Sequence, residues 1–258
     1  MGSSVVDLGP RLAVALVLLT ALAAVAGRLS GLGQDRPVVV AALRATVQLA
    51  AVSAVLLVVV RSLALSALFV LVMVSVAAVT AAGRATGLAV RSPGTARRVG
   101  TAAVPVLAGA LPVVTLVLAS GTVPLRGEAV IPVAGILAGG AMTATSLAGR
   151  RLREELAARR GEVEAALALG LLQRDAVREV LRPAAATALV PPLDQTRTVG
   201  LVTLPGAFVG VLLGGGTPLE AGAAQLLVLV GLLAAQVTAV WTVVELVARG
   251  RLLPGVPR

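Results

Sequence analysis

Residues 63–82 read LALSALFVLVMVSVAAVTAA, twenty positions without a charged side chain. A helix rises about 1.5 Å per residue, so this run covers about 30 Å, the thickness of a bilayer's hydrocarbon core. Six further mostly apolar runs occur, and the seven extend approximately from Leu12 to Ala26, Val38 to Val60, Leu63 to Ala82, Thr101 to Ala119, Ala129 to Ala148, Thr196 to Leu213 and Ala221 to Ala248. The expected fold is all-α: a polytopic integral membrane protein of about seven transmembrane helices, forming one membrane domain over residues 1–258. The first run is flanked by Asp7 and Arg11 and lacks a basic start, so it is expected to be retained as a span.

Composition agrees, with 58% hydrophobic and 13% charged residues and a mean hydropathy of +1.00. Lys, His, Cys and Tyr are absent, and all 22 basic residues are Arg. Without Lys there is no GxxxxGK[ST] phosphate loop, so ATP hydrolysis, if it drives this protein, belongs to a partner. Without an imidazole or a thiol, zinc sites, Cys/His dyads and Ser-His-Asp triads are excluded as well. The chain is therefore not expected to be an enzyme.

The formal charge of +10 raises the question of nucleic acid, but only Phe69, Phe208 and Trp241 are available for base stacking. The positions of the arginines answer it. With the N-terminus outside and the C-terminus inside, 17 of 22 arginines fall on the cytoplasmic side; Arg11, Arg61 and Arg126 fall outside, and Arg44 and Arg197 lie in or at the edge of spans. The positive-inside rule thus predicts an N-out, C-in protein of the cell membrane, and no nucleic-acid partner.

One connection is long. Residues 149–186 lie between spans five and six and hold six of the twelve acidic residues. Leu152, Leu156, Val163 and Leu167 recur at helical spacing up to Gly170, and a second amphipathic stretch runs from Gln173 to Leu181, where Pro183 is expected to stop it. Glu164-Ala165-Ala166, then Gly170, Val180 and Pro183, resembles the EAA loop of ABC-transporter permeases, which seats in a groove of the ATPase subunit. The alternative on physical grounds alone is a solvated amphipathic connector.

The resemblance continues downstream. Pro192-Leu193-Asp194-Gln195-Thr196-Arg197-Thr198-Val199-Gly200-Leu201-Val202-Thr203-Leu204-Pro205-Gly206, with Gly210 and Gly216-Thr217-Pro218, resembles the signature of the FetB-like iron-export permease family of ABC transporters. Arg44-Ala45-Thr46-Val47-Gln48-Leu49 is similar to that family's Arg-x-x-x-Gln-Leu element. Two departures stand out: Gly139-Gly140-Ala141-Met142 has glycine where the family's Gly-Asn-x-Met element has asparagine, and Ala207 and Phe208 follow Pro205-Gly206 where methionines are frequent. The resemblance implies a permease subunit exporting iron or another metal, a homodimer paired with a cytoplasmic ATPase, and no cofactor on this chain, with ATP and Mg on the partner. With three Met and no Cys or His, soft metal ligands are scarce, and the alternative cargo is a non-metal solute.

Polar residues within the spans are candidates for a translocation path or a hinge. Arg44 and Gln48 lie one turn apart on one face and either line a path or serve snorkelling and packing. Asp194 and Arg197 can pair at the junction of loop and span, Met142 sits in span five, and Pro205-Gly206 is expected to kink span six. Gln225, Gln236 and the hydroxyls of Thr143, Thr145 and Ser146 read first as packing groups. A secondary transporter would want acids deep in the membrane, and here they are confined to edge positions such as Asp194 and Glu245. The remaining competitor is a membrane scaffold that recruits a soluble partner through the same loop.

Overall fold

The computed structural model describes residues 9–88 and 95–253, and every regular element within them is helical. Six helices are long and apolar enough to cross a membrane. Two compact units divide the chain, Met1–Arg61 and Ser62–Arg258.

The first unit is a helical hairpin. Helix α1 (Pro10–Leu29) starts with proline at its first position, where the missing N–H costs nothing, and α2 (Asp35–Val59) runs back along it. Gly31 and Gly33 take φ of 69° and 63° in the connecting turn. Gly27 is buried there, close to the backbone of Gln34 and Asp35. No residue of α2 is buried, and Val38, Ala42, Leu56 and Val59 are partly covered.

The second unit contains α3 (Leu63–Thr86), α4 (Thr95–Ala119), α5 (Gly127–Ala158), α6 (Arg160–Ala168), α7 (Gln173–Ala186), a 3-10 turn (Thr187–Leu189), α8 (Val190–Thr198), α9 (Gly206–Leu213) and α10 (Pro218–Ala248). Small residues set its packing. A Cβ on Gly149 of α5 would collide with Ala85 of α3, and one on Gly109 of α4 would collide with the Ala235 carbonyl of α10. Burial is accordingly carried by alanines, among them Ala81, Ala85, Ala141, Ala144, Ala235 and Ala239, which let the backbones approach where lipid supplies little hydrophobic drive.

The same contacts fix direction. Met73 meets Gly135 and Ala85 meets Gly149, so α3 and α5 run parallel. Leu137 meets Gly231 and Gly140 meets Gln236, so α5 and α10 run parallel too, whereas α4 is antiparallel, with Gly109 at Ala235 and Val113 at Gly231. Two consecutive long helices that run parallel require the chain between them to return along their length. That return is made by α7, α8 and α9.

Three expectations change here. Residues 196–213 are not one helix: α8 ends at Thr198, the chain turns through Val199 to Leu204 with Gly200 at φ 79°, and α9 starts after Pro205. The turn is closed by Gly200 N–H donating to the Thr203 carbonyl at 2.9 Å. Proline holds the preceding Leu204 out of the helical region and offers no N–H, so the break is complete where a kink was expected. Second, α5 does not end near Ala148 but continues to Ala158, about 15 Å further. Third, Pro183 does not stop its helix, because α7 runs on to Ala186. The lost hydrogen bond there is offset by complete burial of Ala176, Val177, Leu181 and Ala185 along one face.

Candidate functional site

The long loop is a folded structure. Leu152 and Leu156 at the end of α5, Val163 on α6, and Ala176, Val177, Leu181 and Ala185 on α7 are buried together, with Leu252 and Leu253 closing the cluster after α10. The apolar face predicted from spacing is this cluster, with Leu167 partly buried at its edge.

Arg159 sits at the elbow between α5 and α6. Its Nε and Nη2 donate to the two Glu162 oxygens at 2.7 and 2.5 Å, and Nη1 donates to Glu155 Oε1 at 3.3 Å and to the Val180 carbonyl at 3.1 Å. One planar fork thereby joins α5, α6 and α7. The Glu162 hydrogen bond raises the Arg159 pKa, and the same contact lowers that of Glu162.

Two further arginines tie the loop to the bundle. Arg153 Nη1 donates to the Ala85 carbonyl at 3.2 Å, at the end of α3, and its guanidinium occupies the space a side chain on Gly87 would need. Arg174 on α7 grips Glu245 of α10 through Nε at 2.7 Å and Nη2 at 3.2 Å, and Arg249 Nε reaches the same carboxylate at 2.7 Å. Hydrogen bonding to Glu245 raises the Arg174 pKa.

The turn between α6 and α7 faces the other way. Gly170 adopts φ 88°, its N–H donates to the Leu167 carbonyl at 2.9 Å, and the Leu171 N–H donates to Ala166 at 3.2 Å. These two bonds form a Schellman cap, which needs a left-handed residue and so favours glycine. At its tip Leu169 is 82% exposed and Leu172 73% exposed. Two largely exposed leucines thus stand at the tip of the turn.

Of the residues singled out by motif, Glu164 is exposed on α6 and accepts from Arg160 Nε at 2.9 Å, Ala165 is exposed, and Ala166 is partly buried. Val180 and Pro183 lie on α7, the first held by Arg159. The structure thus gathers Glu164, Ala165, Ala166, Gly170, Val180 and Pro183 into one helix-turn-helix.

The path candidates are not gathered. Arg44 and Gln48 are exposed on α2 in the first unit. Met142 is partly buried against the core of the second. Asp194 and Arg197 pair at 3.4 Å on α8, both exposed, and Pro205 and Gly206 open α9. Gln225 of α10, 5% exposed, accepts from the Phe208 N–H at 3.2 Å and so satisfies one of the free amides at the α9 start. Among the described residues no group of three or more acids is placed to hold a metal ion.

Arg153, Arg159, Arg174, Glu245, Leu169 and Leu172 were not singled out by motif. Alternating charge at i and i+3 hints at Arg159–Glu162, but Arg174–Glu245 joins residues 71 apart in the chain and has no local signal.

These features define a multi-pass α-helical membrane protein carrying a folded helical loop. The chain belongs to the UPF0014 family, described as an uncharacterised protein family, whose model matches residues 10–251. It is 38% identical over 218 residues to the UPF0014 membrane protein STAR2 of Oryza sativa subsp. japonica, covering 83% of this chain and 74% of that protein. It is 38% identical over 159 residues to Protein ALUMINUM SENSITIVE 3 of Arabidopsis thaliana, covering 62% and 56%. It is 33% identical over 113 residues to the Probable iron export permease protein FetB of Escherichia coli (strain K12), covering 44% of each. No solved structure matches the chain.

Proposed function

We propose that this protein is the membrane-spanning permease subunit of an ABC transporter, powered by a separate cytoplasmic ATPase that binds ATP and Mg. The observation that carries the reading is the helix-turn-helix of α6 and α7: its base is fastened to the bundle by Arg153, Arg159 and Arg174, and its tip presents Leu169 and Leu172 outward. A lever of this kind passes motion from a docked partner into α3, α5 and α10. The ATPase drives alternating access to the extent that it contacts the loop differently in the two access states. This chain supplies no catalysis of its own.

The arginine distribution supports N-out, C-in placement, with the loop in the cytoplasm. Seven crossings fit that placement when α8 and α9 are taken as one broken span, and the parallel run of α5 and α10 supports this. Irregular backbone such as residues 199–205 is tolerated at membrane depth only where protein or a water-filled path covers it. A homodimer whose two copies meet along these broken spans meets that need, and the two compact units of each chain act as one permease. Export of iron or another metal is the cargo reading, in keeping with the name of the E. coli relative. The scarcity of soft ligands keeps a non-metal solute as the second cargo class to assay.

The test is reconstitution of the chain with an ATPase that co-purifies with it, following ATP-dependent movement of iron, other metals and organic solutes. ATP-driven transport that stops on Gly170→Leu supports the reading. Absence of any associated ATPase, with transport driven by an ion gradient alone, contradicts it.

A further inference from the structure

A cleft of about 410 Å³ opens between α3 and α5 at the end where the loop begins, lined by Arg84, Thr143, Ser146, Leu147 and Arg150. On α5, Thr143, Ser146, Leu147 and Arg150 are spaced i, i+3, i+4 and i+7, which is one face of a helix, and Arg84 enters from α3. Arg84 lies 21 residues from the start of α3 and Arg150 lies 23 from the start of α5, depths of about 32 and 35 Å along parallel helices. For helices that enter a hydrocarbon core of about 30 Å at their first residues, both positions fall just past its far side, where one leaflet carries its phosphates.

Neither arginine has an acidic partner among the described residues. The acid nearest in sequence on α5, Glu154, pairs instead with Arg151 at 3.6 Å. The hydroxyls of Thr143 and Ser146 line the cleft and donate back to the Gly139 and Met142 carbonyls at 3.0 and 2.7 Å, so the charge in the cleft comes from the two arginines. Above them Gly139 has no atom within 4 Å of where a Cβ would stand, which leaves room for apolar chain leading into the membrane. A sorting of arginines to one side accounts for their presence but not for the convergence of two, from different helices, on a hydroxyl-lined cleft.

We propose that this cleft binds an anionic phosphate group, carried by an acidic phospholipid headgroup or by a soluble phosphate. Guanidinium forks match phosphate oxygens bidentately, and the two charges together neutralise a phosphate ester. The inference is independent of the transport reading.

The full chain is placed in phosphatidylcholine nanodiscs containing a minor fraction of phosphatidylglycerol, and the lipids it retains are counted by native mass spectrometry. In a parallel arm, melting in phosphatidylcholine alone is followed with inorganic phosphate against chloride at equal ionic strength. Arg84→Gln with Arg150→Gln is compared with Arg11→Gln with Arg126→Gln. Retention of phosphatidylglycerol that falls at least about tenfold in the first pair only identifies a lipid site; stabilisation by phosphate lost in the same pair identifies a soluble one. Should the double variant fail to fold, Arg84→Gln and Arg150→Gln alone, both at exposed positions, are each expected to lose severalfold of whichever signal the native chain gives. Equal phosphatidylglycerol retention in native and variant chains with no response to phosphate, or no retention of phosphatidylglycerol over phosphatidylcholine and no response to phosphate in the native chain, would overturn the proposal.

Discussion

Arg174 on α7 and Glu245 near the end of α10 meet at 2.7 Å although 71 residues separate them, and this contact fastens the loop to the last helix of the bundle. Glu245 is shared with Arg249, so removing Arg174 leaves the acid one partner, whereas removing Glu245 leaves two arginines facing each other. Arg174→Glu is expected to lower ATP-driven transport severalfold with the chain still folded, and Glu245→Arg added to it to recover much of the loss. Transport assays on the two single variants and the pair form the cycle that measures this coupling.

Gly170 closes α6 in a left-handed conformation, where any side chain is strained. Gly170→Ala is expected to destabilise the cap by about 1 kcal/mol. Hydrogen exchange is expected to accelerate at the Gly170 and Leu171 amides, which make the two capping bonds, and to stay unchanged in α3 and α4.

Gly149 is confined by Ala85 and Gly109 by the Ala235 carbonyl, so neither site can take a larger residue without moving a helix. Gly149→Val and Gly109→Val are expected to cost about 1–3 kcal/mol each and to lower the yield of monodisperse protein on size exclusion. Gly139→Val, where nothing lies within 4 Å, is the tolerated control.

Arg159 holds the Glu162 carboxyl below its ordinary pKa. A depressed carboxyl contributes its stability above the pKa it has in the unfolded chain and loses it as pH falls through the lower, folded value. The elbow is therefore expected to be intact at neutral pH and to loosen only in acid. Hydrogen exchange of the α6 amides against pH, corrected for intrinsic rates, reads this out; Glu162→Gln is expected to remove the acid dependence and leave α6 less protected at pH 7.

Much of this protein is legible from its sequence because bilayer physics leaves few options. An uncharged run such as residues 63–82 can be little else than a buried or lipid-facing helix, and spacing alone places Leu152, Leu156 and Val163 on the inner face of the loop. What was misread depends on cooperation between distant parts. Span six looks continuous because hydropathy averages over residues 199–205, where Gly200 at φ 79° and Pro205 take the backbone out of the helix. Pro183 looked like a stop because its cost is local, while the burial that offsets it comes from α5 and α10. The tip leucines carry no sequence signal of their own, because an exposed Leu169 and a partly buried Leu167 have the same hydropathy.

Docking of the α6–α7 tip in an ATPase, as proposed, is read out by tagging the chain, co-expressing it with a candidate ATPase, and measuring how much ATPase co-purifies with Leu169→Asp and Leu172→Asp together. Because the two side chains are largely exposed and bury nothing within the chain, the variant is expected to fold and express as before while retaining less than about a tenth of the ATPase, as two hot-spot losses would give. Unchanged recovery of ATPase with the folded variant would show that the tip is not the ATPase contact.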